Sequence, residues 1–487
     1  RQLIEYLQRT NLFVINLDDE KKWFRYHHLF QQLLQNQLNK KINKEEIKTY
    51  NLRASKWFEK QGLLEEAMDY ALLAKDNAIA AEIIKKHRLD LLGVANYYRL
   101  ERLQNRIQRE YIEADPELLL VDLQIQWNHD NFIEIGQLLE KVHLVIDQLE
   151  DDSYVHGELS FFTGFASLFL KGDLKTALAC FDVAETKIPE SSSGPRGVLE
   201  VIQPIFRQMG GLYEMVKQTY YELIEKELPP IRKYRIQEGF IVASIDQLNT
   251  YEVEVNYLNA ISHTRNFQMK EPLGAMLTIS AMYLVRKGLL TTAIEYWEEA
   301  KELRYSMHSR IACDNMAGLV IGYSLMNEEN KSEEILKIMD SYTSGLGDYY
   351  NVFLWSTTIR HHMINQDRDT VRKLLADYDP HVLDLVVYLD IPEITHARAL
   401  IFEGSEGNME RARDELAHLE EVATAINNRV HLYEVKVLQA VLYDVKGEFE
   451  NAEGALLASL EIAEPEGITM FYFELGESFA TLIKHMP

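Results

Sequence analysis

The stretch LFLKGDLKTALACFDVAETKIP, Leu168–Pro189, decides the fold. Gly172 sits between two runs with helical apolar spacing, and the small Ala177 follows five residues later. Phe181, Ala184 and the helix-stopping Pro189 complete the spacing of a tetratricopeptide unit. A glycine reaches φ > 0 and so can end one helix and turn the chain. An alanine beyond the turn lets the second helix pack close to the first. The same Gly–Ala pair recurs at Gly62/Ala67, Gly288/Ala293, Gly407/Ala412 and Gly447/Ala452, and Leu284, Trp297 and Ala300 extend the copy at Gly288. The glycines at 62, 172, 288 and 407 stand 110, 116 and 119 residues apart. Each gap holds three units of roughly 37–40 residues with degraded intermediate copies. Weaker turns are expected at Asn330 (before Ile335), at Asp130 (before Ile135) and at Gln366; Asn and Asp tolerate the left-handed conformation. One hairpin cannot bury its apolar face, whereas stacked hairpins can. The sequence therefore predicts an all-α, tetratricopeptide-like α-solenoid, a superhelix.

Strand signals are confined to the start. Asn11–Leu17 (NLFVINL) is short and β-branched, with a turn at Asp18-Asp19, and Trp23–Tyr26 can return antiparallel to it as a small wing beside helices. Pro189–Gly197 (PESSSGPRG) reads as an exposed loop. The 487 residues are 47% hydrophobic and 26% charged, which suits one long folded array. A net charge of −25 repels phosphate backbones and anionic headgroups, so neither DNA nor a membrane surface is an expected direct partner. Cys180 and Cys313 are too few for a disulfide framework and read as core thiols of a cytoplasmic protein. No apolar run approaches a membrane span. The chain opens on Arg1 in a helix-like RQLIEYLQRT, so it is expected to begin partway through a larger protein.

Motifs for catalysis are missing. There is no Gly-Lys dipeptide for a phosphate loop, and no H-E-x-x-H, C-x-x-C or G-x-S-x-G. Gly345 and Gly347 lack a third glycine and a preceding strand. The adjacent His361 and His362 diverge on a helix, suit no single metal and read as surface or groove residues, and Glu415–Glu421 reads as a solvated face. The chain is expected to be neither an enzyme nor a metal or cofactor carrier. Counting back from the turns places Phe162, Phe169, Met282, Arg286, Ser356 and Arg360 on the concave face, as a candidate ligand-binding groove. An aromatic shelf with a few polar groups suits a sugar or another small polar ligand. Phe162 and Phe169 also suit plain packing between adjacent helices.

At Trp23–Leu34, WFRYHHLFQQLL resembles the segment that closes the winged-helix domain in the MalT family, LuxR-type regulators of the STAND ATPase class. The resemblance continues through Ala54–Ile84 (ASKWFEKQGLLEEAMDYALLAKDNAIAAEII) and returns at Leu438–Gly467 and Phe473–Ile483 (FELGESFATLI). It implies residues 1–40 as the C-terminal part of a winged helix, 41–115 as a helical arm and 116–487 as a superhelical sensor. It further implies a parent protein with an ATPase module upstream and a DNA-binding helix-turn-helix downstream. In such a parent, ATP and an inducer together convert a closed monomer into an active oligomer, so ATP or ADP is implied for the parent and no cofactor for this chain. The expected partners are a small-molecule inducer or an inhibitory protein, further copies on activation, and DNA only through a domain outside the chain. The malto-oligosaccharide of the maltose activator does not transfer, because the middle repeats match least. The resemblance also carries over one histidine: His27, in RYHHLF, would contact the phosphates of ADP and hold the resting state, or else pack between winged helix and arm. A protein-binding scaffold, its groove receiving a peptide or a partner's helix, is the competing reading of the same repeats.

Overall fold

A computed structural model describes residues 14–16, 24–91, 97–129, 131–145, 154–190, 194–346, 348–377 and 391–486. Two strands, β1 (Val14–Asn16) and β2 (Phe24–Tyr26), pair antiparallel with Val14 opposite Tyr26 and Asn16 opposite Phe24. This is the wing expected from the β-branched start. Among the described residues, everything else with regular structure is helical. The chain separates into two compact units, residues 1–88 with 99–118 and residues 89–98 with 119–487.

In the first unit, α1 (His28–Lys41) follows the ribbon. Next come α2 (Lys44–Lys60), α3 (Leu64–Leu73), α4 (Asn77–Leu91), α5 (Tyr97–Gln104) and α6 (Arg109–Glu113). The α2–α3 hairpin turns at Gly62 with φ +75°, and Ala67 beyond it is fully buried. There Ser55 Oγ donates to the Ala67 carbonyl at 2.8 Å and Phe58 stacks on Tyr70.

The second unit is a run of helical hairpins. It begins with α7 (Pro116–Asn128) and α8 (Phe132–Val145), then α9 (Tyr154–Lys171) with α10 (Leu174–Lys187), α11 (Pro195–Met209) with α12 (Tyr213–Ile224), and α13 (Pro230–Asp246) with α14 (Thr250–Asn266). It continues with α15 (Lys270–Arg286) and α16 (Leu290–Lys301), α17 (Ser309–Leu325) and α18 (Glu329–Thr343), α19 (Asn351–Ile364) and α20 (Arg368–Asp377). The last hairpins are α21 (Pro392–Glu403) with α22 (Glu406–Ala425) and α23 (Arg429–Val445) with α24 (Phe449–Ala463); α25 (Met470–Glu474) and α26 (Glu477–His485) end the unit. From α9 onward, each first helix packs on its own second helix and on the first helix of the next hairpin. The first helices thus form an inner layer and the second helices an outer one, which is tetratricopeptide-like stacking.

The turns carry the period. Left-handed residues end the first helices at Gly172, Gly211, Leu248, Gly288, Asn327, Gln366, Gly404 and Gly447, with separations of 37 to 43 residues. Ala177, Ala293 and Ala452 are fully buried where the second helix crosses the first, as are Phe181 and Trp297. An added Cβ on Gly164 would come within 2.7 Å of the Phe181 ring, and one on Gly318 within 2.4 Å of Trp297. The aromatic positions therefore pack on bare backbone.

Several expectations shift. The turn assigned to Gly407 lies at Gly404 (φ +84°), and Gly407 sits in the first turn of α22. The turn assigned to Asn330 lies at Asn327, and Asn330 is helical. In both places a second residue suited to the left-handed region lies three positions away, so local spacing cannot choose between them. Gly211 and Leu248 supply copies that the Gly-x4-Ala pattern misses, because Val216 replaces the alanine at the first, and Leu248 and Val253 replace both residues at the second. The expected loop at 189–197 is shorter, because Pro195 starts α11 and Arg196 and Gly197 are buried in its first turn. Residues 191–193 and Asp130 lie outside the described residues.

Candidate functional site

Met282, Arg286, Ser356 and Arg360 lie on the first helices α15 and α19, the inner layer of the second unit. They do not line an open trough. Arg286 is 7% exposed, Arg360 6% and Ser356 fully buried. The reason is at the other end of the unit: the last repeats come round and fill the interior. Arg360 grips Glu474 of α25 through two parallel bonds, Nε to Oε1 at 3.0 Å and Nη2 to Oε2 at 2.9 Å. Arg398, on α21, donates to Glu474 Oε1 at 2.5 Å and to the Glu474 carbonyl at 2.9 Å. Arg286 lies 4.0 Å from Glu434 of α23 and returns one bond to its own helix, at the Met282 carbonyl.

The electrostatics of this interior follow from burial and charge. Burial works to raise Glu474, but Arg360 and Arg398 outweigh it and hold the carboxyl down at about 2. Glu434 is pushed up to about 7 by burial, with Arg286 and Arg360 opposing. Asp246, at the end of α13, is driven well up by burial against the pull of Arg286. His431 is lowered to about 3 by burial and then by the Arg286 charge, so it is a neutral imidazole. Three guanidiniums and two glutamates thus share one enclosed space, with one carboxylate firmly ionised between two arginines.

Closure also runs along the rims. Gln208 Nε2 donates to the Asn427 carbonyl at 2.9 Å and Asn427 Nδ2 donates to the Met209 carbonyl at 2.8 Å. Glu466 accepts from the Thr250 amide at 3.0 Å and from its hydroxyl at 2.8 Å. Lys287 donates to the Glu466 carbonyl at 2.8 Å, and the Thr469 amide to the Arg286 carbonyl at 3.1 Å. The turns near 209, 248 and 288 therefore rest on the turns near 427 and 467, one superhelical turn further on. A cavity of about 20 Å³, lined by Met363, Gln366, Arg398, Phe402, Leu438 and Glu474, lies beside the clamp. That volume suits about one water molecule.

Phe162 and Phe169 lie elsewhere, on α9. Phe162 is 1% exposed and packs edge-on against Phe161, and Phe169 is half-buried and stacks on Phe165. They belong to a cluster of rings with Phe181 and Phe206, and not to the charged interior. His27, in the first unit, is half-buried at the N-terminal edge of α1, where its carbonyl accepts from the Gln31 amide at 2.9 Å. His361, read as a surface or groove residue, is instead buried and bonded through Nδ1 to Ser324 Oγ at 2.8 Å. Sequence reasoning missed Arg398, Glu434 and Glu474. A signal existed for Arg398, a lone cation inside the apolar run Ile394–Phe402. Among the described residues no His, Cys, Asp and Glu cluster could hold a metal, and no helix is long and apolar enough to cross a membrane.

Residues 1–46 match the MalT winged helix domain. The HTH-type transcriptional regulator MalT of Cronobacter sakazakii is 27% identical over 157 residues, 32% of this chain and 17% of that protein. Its namesake from Vibrio parahaemolyticus is 26% identical over 139 residues, 28% of this chain and 15% of that protein. Each match therefore spans less than a fifth of the curated relative. Among solved structures, a Rap protein complexed with Competence and Sporulation Factor aligns over 78% of this chain and 99% of its own, with 13% identity and a TM-score of 0.44. Yeast Tom70 aligns over 91% and 96%, with 11% identity and a TM-score of 0.33. With a winged-helix match over residues 1–46 and further similarity over about 30% of its length, the chain is similar to MalT-type regulators.

Proposed function

We propose that the second unit is the signal-sensing region of a MalT-like transcriptional regulator, and that it binds an inducer or an inhibitory partner in the interior of its superhelix. The observation that carries this reading is the closure itself. A handful of hydrogen bonds at the rims and one arginine clamp hold successive superhelical turns together. A neutral rim bond is worth about 1 kcal/mol and a charged one about 1.5–3 kcal/mol, so an occupant that prefers an opened pitch and replaces the charged contacts can shift the balance. Repeat arrays suit such work, because small changes at each interface add along the stack. Opening would then be coupled, in the whole regulator, to ATP-dependent self-association, with DNA bound by a module outside this chain. In this reading the chain itself catalyses nothing, works in the cytoplasm, and uses His27 as a contact to the nucleotide of the resting state.

The test is a titration of the purified chain against a metabolite library, read by thermal shift and by hydrogen exchange at 208–211, 427 and 466–469. A micromolar hit that speeds exchange at those turns supports sensing. A screen with no hit, beside tight capture of one protein, favours the scaffold reading. His27→Ala in the full-length regulator should raise basal activity, and unchanged basal activity would remove the nucleotide role.

A further inference from the structure

Glu474 occupies its place as a ligand would. It sits on a five-residue helix bounded by two glycines in the left-handed region, Gly467 at φ +64° and Gly476 at φ +53°. The adjoining Phe473 is 71% exposed, while Tyr472 and Leu475 are buried, so Glu474 supplies the charged anchor of the segment beside two apolar ones. What Glu474 does is fill a fork. A planar guanidinium meets a carboxylate or phosphate through two parallel bonds, and Arg360 makes that contact, with Arg398 closing from a neighbouring first helix. Both arginines come from the inner-layer helices of consecutive hairpins, α19 and α21, so the fork belongs to the framework and the carboxylate to the segment laid on it.

We propose that the Arg360–Arg398 fork is an oxyanion-binding subsite, that Glu474 is its built-in occupant, and that a small carboxylate- or phosphate-bearing ligand takes the place of Glu474 and releases the α25 segment. Withdrawing Glu474 alone would leave the buried Arg360 and Arg398 to share Glu434 with Arg286, a state costlier than the pair it replaces. Only an incoming negative group restores the balance, so the fork selects by charge before shape. The cavity of about 20 Å³ beside it is too small for such a ligand, so binding and release of the segment are one event. Release of α25 also withdraws Thr469, inside the same glycine-bounded segment, from the Arg286 carbonyl, one of the contacts that hold the rim. The proposal rests on the sensing reading and adds the chemistry of the signal.

The experiment uses the full chain, wild type and Glu474→Gln, with inorganic phosphate and citrate as probes against sodium chloride at matched ionic strength. Glu474→Gln keeps the shape of the occupant and removes its charge. Thermal shift should show saturable stabilisation of Glu474→Gln at about ten-fold lower probe concentration than wild type, and Arg398→Gln in that background should abolish it. Saturation by phosphate alone marks a phosphate compound, by citrate alone a carboxylate, and by both a general oxyanion fork. Saturation by neither overturns the proposal. Should Glu474→Gln fail to fold, wild type decides: faster exchange at 470–474 under high probe supports displacement, and unchanged exchange overturns it. Anion binding that leaves the rim turns protected keeps the fork and sinks the sensing reading. An uncharged metabolite that opens the rim does the reverse.

Discussion

Two glycines in the middle of helices make a matched test of how the hairpins pack. Gly454 is exposed on α24, and a Cβ added there meets nothing within 4 Å. Gly239 is buried on α13, and a Cβ there would lie 2.4 Å from the Val201 carbonyl oxygen and 3.1 Å from the Val201 Cα on α11. Replacing glycine by alanine gains about 1 kcal/mol of helix preference at either place. At Gly239 the same methyl forces two backbones apart by about 1 Å to reach ordinary contact, an overpacking cost of about 1–3 kcal/mol. No rotamer can relieve it, because the obstacle is main chain. Gly454→Ala should therefore stabilise, and Gly239→Ala should be neutral to destabilised, the two differing by the overpacking term alone, about 1–3 kcal/mol. Hydrogen exchange by mass spectrometry, with peptides covering 199–209, 236–246 and 449–463, reads each site separately and avoids assuming that a repeat array unfolds in one step. If Gly239→Ala stabilises as much as Gly454→Ala, the first helices of adjacent hairpins do not meet as described.

Buried acids set a pH dependence. Glu434 and Glu238 are both raised by burial to about 7 from an ordinary value of 4.5, so the folded state keeps their protons longer. Stability should fall as pH rises from about 4.5 to 7, and Glu434→Gln with Glu238→Gln should flatten that slope in thermal melts; an unchanged slope counts against the buried environment. Glu474 works in the opposite sense, since its contribution is present above 4.5 and is lost as pH falls toward 2. At the turns, Gln366 holds φ +60° and its Nε2 donates to the Met363 carbonyl at 3.2 Å, so Gln366→Gly should be neutral to slightly stabilised while Gly447→Ala, at φ +75°, loses about 1 kcal/mol. Equal and small effects in chemical denaturation would deny the turn assignment. Asn427→Gly keeps the left-handed turn (φ +51°) but removes the bond to the Met209 carbonyl, and should cost about 1 kcal/mol of local protection at 206–212; unaltered exchange there would show that the rim bond is idle.

The repeats were readable because they are local. Gly62, Gly172, Gly288 and Gly447 each sit at a left-handed turn five residues before a buried alanine, and both halves of that signal lie within one hairpin. Leu248 shows where this stops. It takes φ +56° while its side chain is 3% exposed, so burial in the stack holds a conformation that its residue type disfavours. Counting back from the turns found Arg286 and Arg360 on the inner layer. It could not find what they touch, since Glu474 lies 114 residues from Arg360 and 76 from Arg398. Superhelical pitch decides which turns meet, and pitch is the sum of many small rotations that no single repeat records. Phe162 and Phe169 show the same counting giving residues of the right helix in a part of the stack where the interior is apolar.

The superhelix closes on itself, rim to rim. Cysteines at Thr250→Cys and Glu466→Cys, in a background with Cys180→Ser and Cys313→Ala, place one thiol on each rim where the two native side chains bond at 2.8 Å across 216 residues of sequence. A short bismaleimide should join them within the chain in high yield, giving a faster-migrating band in denaturing electrophoresis, and a control pair at Thr250→Cys and Leu457→Cys should not join. Absence of the linked band in folded protein would contradict the closure and everything built on it.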